Sequence, residues 1–367
     1  MKPGFQHKLN WLAQFFDTNN VAITGGYHYG NLGDMAMGIS VKEFLAMKGI
    51  GANLQTIYNF NAWPNRKFTI LGGGAIGYKY SLDKVYKKLK GNYDNLGILG
   101  VDFNEPTYPD YLLELLSKAA FVSTRSQSQK DLLNALLNRQ DIVSIPDIAF
   151  AYKVSSFSKL RSSINEKKYA PRLLINMVPL YGQLKGDILI PSKQYELERP
   201  EIIKNHSAIL ASYIELIQYH VNEAIRNNIE VIHIPFTPSD EVYAKVILKE
   251  KKIFHLPYSS NPQSLLYRIN STDQFLSTRF HATLFGMRAG AKVLPIAYAH
   301  KNEELLKELG WKSSEYYQLN QLNSKTHGIL EFKRVDEKLI EAKEIAAEKG
   351  IMACLSKLKL INDGGKE

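Results

Sequence analysis

Hydrophobic and polar positions along this chain follow two alternating patterns. Short apolar runs, typical of buried β-strands, recur from about residue 21 to residue 298. Between them, apolar residues fall about every three or four positions, as they do on one face of an α-helix. Strands and helices in alternation are typical of an α/β protein with parallel sheets.

The two patterns predict individual elements on either side of a polar stretch. Before that stretch they predict strands at 21–24, 52–57, 68–71, 96–99, 121–123 and 142–145, and helices at 34–48, 108–118 and 128–137. After it they predict strands at 173–176, 230–234, 253–256 and 293–298, and helices at 206–227, 240–249, 305–311 and 335–358. Between Val154 and Pro171 the Ser, Lys and Asn content is that of a linker.

This arrangement predicts two Rossmann-like α/β domains with mostly parallel sheets that face each other across a cleft. We expect an N-terminal domain at 1–165 and a C-terminal domain, with a final helix, at 166–367. A chain of 367 residues is also longer than one hydrophobic core usually supports. Ligands of such sheets bind beyond the carboxyl ends of the strands.

The charge balance changes the range of partners. Lysine and arginine number 46 against 36 acidic residues, a net charge of +10, which favours anionic partners. The basic residues are scattered and form no dense block interleaved with aromatic residues, so we expect phosphorylated small molecules and no nucleic acid. Peripheral contact with an anionic membrane stays open.

Cysteine content and hydropathy indicate a cytoplasmic protein. Cys354 is the only cysteine, and its position in a helical pattern favours a buried thiol in a reducing compartment. No run approaches the roughly 18 apolar residues of a membrane span. The first residues are too polar for a signal peptide.

The most informative segment for chemistry is 277–301. Arg279 and His281 follow a buried strand and precede a helical pattern that starts at Ala282. A helix N-terminus favours anions, a guanidinium provides a fixed fork for phosphate or carboxylate, and an imidazole can transfer a proton near neutral pH. The pattern predicts a site for an anionic substrate, although a short Arg-x-His pattern also fits a structural role.

The first strand-to-helix turn carries a second group of polar and ring side chains. Gly33 allows a tight turn, and Asp34 is expected to cap the helix that follows. A turn and a cap do not explain why Asn31 and three rings, those of Tyr27, His28 and Tyr29, crowd the same segment. Stacking and hydrogen bonding to a sugar would use these groups, so both interpretations remain open.

A glycine-rich turn at Gly72–Gly77 follows the third predicted strand. It matches the G-x-G-x-x-G pattern of dinucleotide-binding folds. The match is weak because the strand is not the first one and 78–80 looks like a poor start for a helix. The acidic candidates for a ribose contact, Asp102 and Glu105, also lie further along the chain than that pattern requires.

Two more turns resemble the one at Arg279. Arg125 follows a short strand and precedes a helix, so two arginines, one per domain, could hold both ends of a dianion; a solvent-facing loop arginine is the alternative. Asp147 follows Pro146 in a comparable turn, and helix capping explains Asp240. The chain lacks Asp-x-Asp, P-loop, H-E-x-x-H and G-x-S-x-G motifs, and its nine histidines show no ligand spacing, so we expect neither a metal nor a cofactor.

Taken in order, these motifs resemble the polysaccharide pyruvyl transferase family. The earlier matches are Asn31-Leu32-Gly33-Asp34, Leu71-Gly72-Gly73-Gly74, Arg125 and Pro146-Asp147. The most diagnostic matches are Arg279, His281, Ala282, Gly290, Pro295, Tyr298 and Lys301. The chain departs from the family at Ser126 and Gln129, and residues 291–294 lengthen the spacing between Gly290 and Pro295.

The resemblance implies a fold similar to GT-B glycosyltransferases and a transfer of pyruvate from phosphoenolpyruvate. The acceptor would be two hydroxyls of a hexose, joined as a cyclic ketal, in a lipid-linked repeat unit of an exopolysaccharide or capsule. His281 would be the acid, and Arg279 and Arg125 would hold phosphate and carboxylate. Further substrate contacts are implied for Asn31, Gly33, Asp34, Gly72, Gly73, Gly74, Asp147, Tyr298 and Lys301. A metal-independent GT-B glycosyltransferase that uses a nucleotide sugar, and a non-catalytic sugar-binding protein, remain the alternatives.

Overall fold

The chain forms two compact units, which we describe from a computed structural model. The structure describes residues 17–27, 30–103, 105, 107–153, 172–185, 188–191, 203–271, 273–322 and 329–361. The first unit comprises Met1–Lys153 with Glu341–Glu367, and the second comprises Val154–Ile340. The predicted linker and the expected boundary at residue 165 lie outside the described residues.

The first unit contains a parallel sheet of six strands in the order β2-β1-β3-β4-β5-β6. Its strands are β1 Val21–Gly25, β2 Ala52–Thr56, β3 Phe68–Gly74, β4 Leu96–Val101, β5 Phe121–Thr124 and β6 Val143–Ser144. Its helices before residue 153 are α1 Leu32–Met47, α2 Lys79–Leu89, α3 Asp110–Lys118 and α4 Gln127–Leu137. Every residue of β1 and β4 is buried, which explains why these strands are nearly continuous apolar runs.

Helix α2 corrects the sequence-based expectation for residues 78–80. Tyr78 is extended and precedes the helix without a side-chain cap, yet the helix starts at Lys79. Leu82, Val85 and Leu89 bury one face of α2 in the core of the first unit. The packing of that face stabilises the helix despite its weak first turn.

The second unit contains a parallel sheet of six strands in the order β11-β10-β7-β12-β13-β14. Its strands are β7 Arg172–Asn176, β10 Glu230–His233, β11 Phe254–His255, β12 Gln274–Ser277, β13 Lys292–Ala297 and β14 Tyr317–Gln318, and a separate antiparallel hairpin joins β8 Gly182–Lys185 to β9 Ile188–Pro191. Its helices are α5 His206–Arg226, α6 Pro238–Ile247, α7 Pro262–Leu266, α8 Phe280–Arg288 and α9 His300–Glu308. Two α/β units with parallel sheets confirm the predicted fold class, whereas the hairpin was not predicted.

The last helix, α10 Glu337–Lys357, was expected in the second domain. From Glu341 onward it groups with the first unit. A Cβ added to Gly97 would lie 2.6 Å from Sγ of the buried Cys354, so the glycine lets the helix approach β4. Glu348 also forms an ion pair with Lys153. In the described ranges, no helix is both long enough and apolar enough to cross a membrane.

Candidate active site

The strand order of the second sheet changes direction between β7 and β12, the point where ligands of such sheets bind. Asn176 at the end of β7 pairs in register with Ser277 at the end of β12. The Asn176 Oδ1 accepts a hydrogen bond from the Arg279 backbone N–H (2.9 Å), and its Nδ2 donates to the Ile234 carbonyl (3.1 Å). Asn176 therefore connects the carboxyl ends of β7, β10 and β12. Its only signal in the sequence is that it is a polar residue at the end of an apolar strand.

Arg279 immediately precedes α8 and presents a guanidinium that is fixed along one edge. Its Nε donates to the Asp240 Oδ2 (2.6 Å), and its Nη2 donates to the Asp240 Oδ1 (2.5 Å) and the Thr237 Oγ1 (3.0 Å). The Arg279 side chain is 23% exposed, and its Nη1 makes no hydrogen bond with the described residues. Two N–H groups of Nη1 are therefore available to an external anion.

Asp240 fixes the orientation of that guanidinium. The fully buried carboxylate also accepts hydrogen bonds from the backbone N–H groups of Phe236 and Thr237, both at 3.1 Å. Burial alone would lower the pKa of Arg279, but the Asp240 carboxylate raises it, and the net pKa lies above its usual value. Asp240 does belong to a capping box with Thr237 at the start of α6, as capping predicted. Its pairing with Arg279 was not predicted, because the two residues are far apart in sequence.

His281 lies in the first turn of α8 and is 8% exposed. The Phe280 ring meets its imidazole edge-on at 5.1 Å between centroids, and Phe285 lies at 6.4 Å. Arg279, the residue before α8, forms no side-chain cap, and the positive end of the helix dipole lies at this turn. The structure thus brings His281, Arg279 and a helix N-terminus together; the catalytic role of His281 remains a prediction.

Tyr298 and Lys301 follow the neighbouring strand β13. The Lys301 Nζ lies 5.7 Å from the centroid of the Phe280 ring, which brings the ammonium near the first turn of α8. The Tyr298 carbonyl accepts a hydrogen bond from the Tyr181 O–H at 3.1 Å. Strand β13 pairs in parallel with β12, and Pro295 lies opposite Ser277.

Buried hydrogen bonds hold the turn between β12 and α8 in place. The Tyr213 hydroxyl accepts from the Val178 N–H (3.0 Å) and is hydrogen-bonded to the Thr278 Oγ1 (2.9 Å). The Asn302 Nδ2 donates to the Thr278 carbonyl at 3.3 Å. Burial raises the pKa of Tyr213, so its hydroxyl stays neutral and keeps its proton for this network.

In the first unit, the turn before α1 is organised by Asn31. Its Oδ1 accepts from the N–H groups of Gly33 (3.1 Å) and Asp34 (3.3 Å), and its Nδ2 donates to the Asp34 Oδ2 (2.7 Å). The helix cap is therefore Asn31, and the expectation that Asp34 caps α1 was wrong, because the helix begins at Leu32 and places Asp34 inside it. The Tyr27 hydroxyl donates to the Gly72 carbonyl at 2.6 Å, while His28 and Tyr29 lie outside the described residues.

The glycine triplet at the end of β3 packs against the protein's own side chains. Gly72, Gly73 and Gly74 are buried. Gly73 has a φ of 68°, and a Cβ there would lie 2.7 Å from the Met37 Sδ and 3.1 Å from the Ile148 Cδ1. The positive φ and this contact together favour glycine at this position. Substrate binding by the triplet stays a prediction.

Arg125 lies between two carboxylates. Its Nε donates to the Asp102 Oδ1 (2.8 Å), its Nη1 donates to the Asp147 Oδ2 (2.5 Å), and its Nη2 pairs with the other oxygen of Asp102. The side chain is 8% exposed. With both aspartates ionised the group carries a net charge of −1, which does not attract a dianion. That Arg125 and Asp147 bind substrate stays a prediction. Within the described ranges, no group of three His, Cys, Asp or Glu residues could hold a metal ion.

Comparison with known proteins gives the family. The model of the family described as polysaccharide pyruvyl transferase matches residues 31–300, well over half of the chain. No curated protein sequence matches this chain.

Among solved structures, a protein of Klebsiella pneumoniae described as functionally uncharacterised is 11% identical, with a TM-score of 0.43 over 84% of this chain and 94% of that one. The heptosyltransferase WaaC of E. coli, solved with ADP-2-deoxy-2-fluoro heptose, is 11% identical, with a TM-score of 0.36 over 91% of this chain and 99% of that one. An alpha-glucosyltransferase solved with UDP and DNA is 9% identical, with a TM-score of 0.37 over 92% of this chain and 94% of that one. These similarities are too low to support an inference, so the family match decides: the chain belongs to the polysaccharide pyruvyl transferase family.

Proposed function

We propose that this protein transfers the pyruvyl group of phosphoenolpyruvate to two hydroxyls of one hexose, forming a cyclic ketal. The observation that carries the proposal is the pairing of Arg279 with the buried Asp240 beside His281 at the N-terminus of α8. The hexose would belong to a lipid-linked repeat unit of an exopolysaccharide or capsule. Such an acceptor implies a reaction at the cytoplasmic face of a membrane, which the net charge of +10 favours.

Three features of the second unit suit the donor, which carries a phosphate and a carboxylate. The Nη1 of Arg279 offers two N–H groups from a guanidinium whose other edge Asp240 holds still. The N-terminus of α8 adds the positive end of the helix dipole. Lys301 adds a second cation next to the same turn. Pre-positioned charge of this kind stabilises a departing phosphate in the transition state.

The reaction needs one proton donor near the donor's methylene carbon. In the proposed sequence, the His281 imidazolium protonates that carbon, and the neighbouring carbon becomes an oxocarbenium-like electrophile that the first hydroxyl attacks. Phosphate then leaves with its bridging oxygen, and the second hydroxyl attacks the same carbon. One hydroxyl proton restores His281 and the other leaves with phosphate, so the products are the ketal and inorganic phosphate. Phe280 and Phe285 limit the motion of the imidazole, which favours a single direction of proton delivery.

The first unit suits the acceptor better than the donor. Near the carboxyl ends of its strands lie Asp34, Asp102 and Asp147, with Arg125 as the cation paired to two of them. Hydroxyl groups donate hydrogen bonds to carboxylates, whereas a phosphate would be repelled. Asp34 is partly exposed, so its carboxylate can receive such hydroxyls.

Turnover in D2O tests the proposal. The wild-type protein is incubated with phosphoenolpyruvate and a panel of hexosides, and phosphate release and the product methyl group are followed by NMR. We expect phosphate release with a ketal methyl group that carries one deuterium, and loss of both in His281→Ala and Arg279→Ala. His300→Ala, at an exposed histidine at the start of α9, is the matched control and should keep full activity. Glycosyl transfer from a nucleotide sugar, with no phosphate release from phosphoenolpyruvate, would refute the proposal.

A further inference from the structure

One surface of the first unit combines exposed tyrosines with lysines. It is formed by the turn Ile57–Ala62 and helix α2, and we name it the Tyr-Lys surface. Tyr58 is 56% exposed, Tyr78 38% and Tyr80 66%. Aromatic side chains usually bury most of their area, so three exposed rings on two adjacent elements indicate a contact surface.

The charge on this surface is mainly positive. Residues 78–90 contain Lys79, Lys84, Lys87, Lys88 and Lys90 and one acidic residue, Asp83, which gives a net charge of +4. Of these, Lys79, Lys87 and Lys90 are exposed. Glu105, an acidic residue that contacts the start of α2, accepts a hydrogen bond from the Lys79 backbone N–H at 3.3 Å, and Asp83 forms an ion pair with Lys87 at 2.5 Å. Helix α10 shows the opposite pattern, because its lysines alternate with glutamates.

The turn and the helix are held together by two lysines. The Lys84 Nζ donates to the Tyr58 carbonyl and lies 4.1 Å from the centroid of the Tyr80 ring. The Lys88 Nζ donates to the carbonyls of Phe60 (2.9 Å) and Trp63 (2.5 Å). The Tyr-Lys surface is therefore a preformed shape, and a partner that binds it does not have to order it.

We propose that the Tyr-Lys surface docks on the surface of an anionic phospholipid bilayer. Lysines attract anionic headgroups, and tyrosine rings sit favourably at the level of the headgroups with the hydroxyl in water. The turn follows β2 and α2 follows β3, so the surface borders the carboxyl ends of those strands, the same sheet edge as Asn31 and Asp34. Docking there would bring that edge close to a lipid-linked acceptor; this last step alone rests on the proposed function.

Vesicle co-sedimentation tests the docking without any substrate. The full chain should bind vesicles that contain phosphatidylglycerol and should not bind pure phosphatidylcholine vesicles, and high salt should release it. Lysines near an anionic surface contribute about 1 kcal/mol each, so Lys79→Gln with Lys87→Gln should lower the partition coefficient about thirtyfold. The matched control, Lys338→Gln with Lys349→Gln on α10, removes the same charge from exposed positions and should lower it by less than about threefold.

The tyrosines have their own test. Tyr58→Ala with Tyr80→Ala keeps the charge and should lower vesicle binding, because rings and not charge alone make the contact. Amide hydrogen exchange of the wild-type protein should show protection at 57–62 and 78–90 when vesicles are added, which requires no variant to fold. Equal losses in the α10 control and the lysine variant would overturn the proposal, as would absent protection or a preference for RNA over vesicles. Failure of pyruvyl transfer with intact vesicle binding would refute the proposed function alone.

Discussion

Replacement of Asp240 by Asn tests whether the fixed guanidinium of Arg279 is functional. The Asp240 Oδ2 accepts from the Arg279 Nε and from two backbone N–H groups, so the amide oxygen of asparagine would occupy that place. Its NH2 group would then face the Arg279 Nη2, donor against donor, where Asp240 now accepts at 2.5 Å. Because Asp240 is fully buried, loss of its carboxylate from the ion pair should lower the free energy of unfolding by about 3 kcal/mol or more.

A matched control lies at the amino ends of the strands in the same sheet. Asp273, also fully buried, accepts from the Arg172 Nε (2.9 Å) and Nη2 (2.8 Å) at the amino ends of β7 and β12. Asp273→Asn should therefore destabilise the second unit by a similar amount. Because ligands bind at the carboxyl ends of the strands, it should leave the kinetics of the folded protein unchanged.

Both variants are measured by urea unfolding and by steady-state turnover of phosphoenolpyruvate at a temperature where they are folded. Displacement of a binding group by about 1 Å can cost about a hundredfold in rate, so kcat/KM should fall about a hundredfold in Asp240→Asn and stay near wild type in Asp273→Asn. Equal stability losses with unchanged kcat/KM in both would refute the reasoning, since Asp240 would then be structural only.

Three further perturbations test other parts of the structure. Burial lowers the pKa of His220 to about 4 and of His233 to about 3. Below about pH 6.5 the unfolded state binds protons that the folded state does not, so the free energy of unfolding should fall by about 2 kcal/mol per histidine at pH 5. In urea unfolding, His220→Leu should remove the contribution of His220 to this pH dependence. Gly73→Ala should lower the free energy of unfolding more than Gly49→Ala, by at least about 2 against about 1 kcal/mol, because both glycines have positive φ but only at Gly73 would a Cβ clash. Arg125→Gln should cost about 3 to 5 kcal/mol, because two buried carboxylates lose their cation.

A specific result would contradict each of these three predictions. An identical pH slope in His220→Leu would show that its imidazole is solvated. Equal losses at Gly73 and Gly49 would show that the contact with Met37 yields without cost. For Arg125, the control is Arg226→Gln, whose exposed pairing with Glu223 should contribute less than about 1 kcal/mol; equal effects would place Arg125 in solvent.

Local sequence patterns predicted most strands and helices because their signals lie within a few residues. The strand at Val21–Gly25 and the helix at His206–Arg226 differ by only a residue or so from the predicted bounds. Helix α2 was missed because its start lacks a cap, and its stability comes from Leu82, Val85 and Leu89 packing in a core that no short window contains. The short α7 and the β8–β9 hairpin give too few residues for a periodic signal.

The individual residues of the candidate site could be predicted from the sequence, but the contacts between their side chains could not. The residue types at Arg279 and His281 and their place at the start of a helix followed from the sequence, and in the structure that helix begins at Phe280. Asp240 lies thirty-nine positions before Arg279, so a local capping pattern accounts for Asp240 without indicating its contact with Arg279. Arg125 shows the opposite case. It lies in a turn like that of Arg279, but two aspartates already bind its guanidinium.

Binding of phosphoenolpyruvate, measured by calorimetry, tests the central claim most directly. The wild-type protein, Arg279→Ala and His281→Ala are titrated with phosphoenolpyruvate and, separately, with nucleotide sugars. In the proposed mechanism Arg279 supplies the fixed contact to the anion and His281 supplies the proton. Phosphoenolpyruvate should therefore bind the wild type and His281→Ala, and its affinity should fall about a hundredfold in Arg279→Ala. If phosphoenolpyruvate does not bind the wild type and a nucleotide sugar does, the site performs glycosyl transfer and the account is wrong.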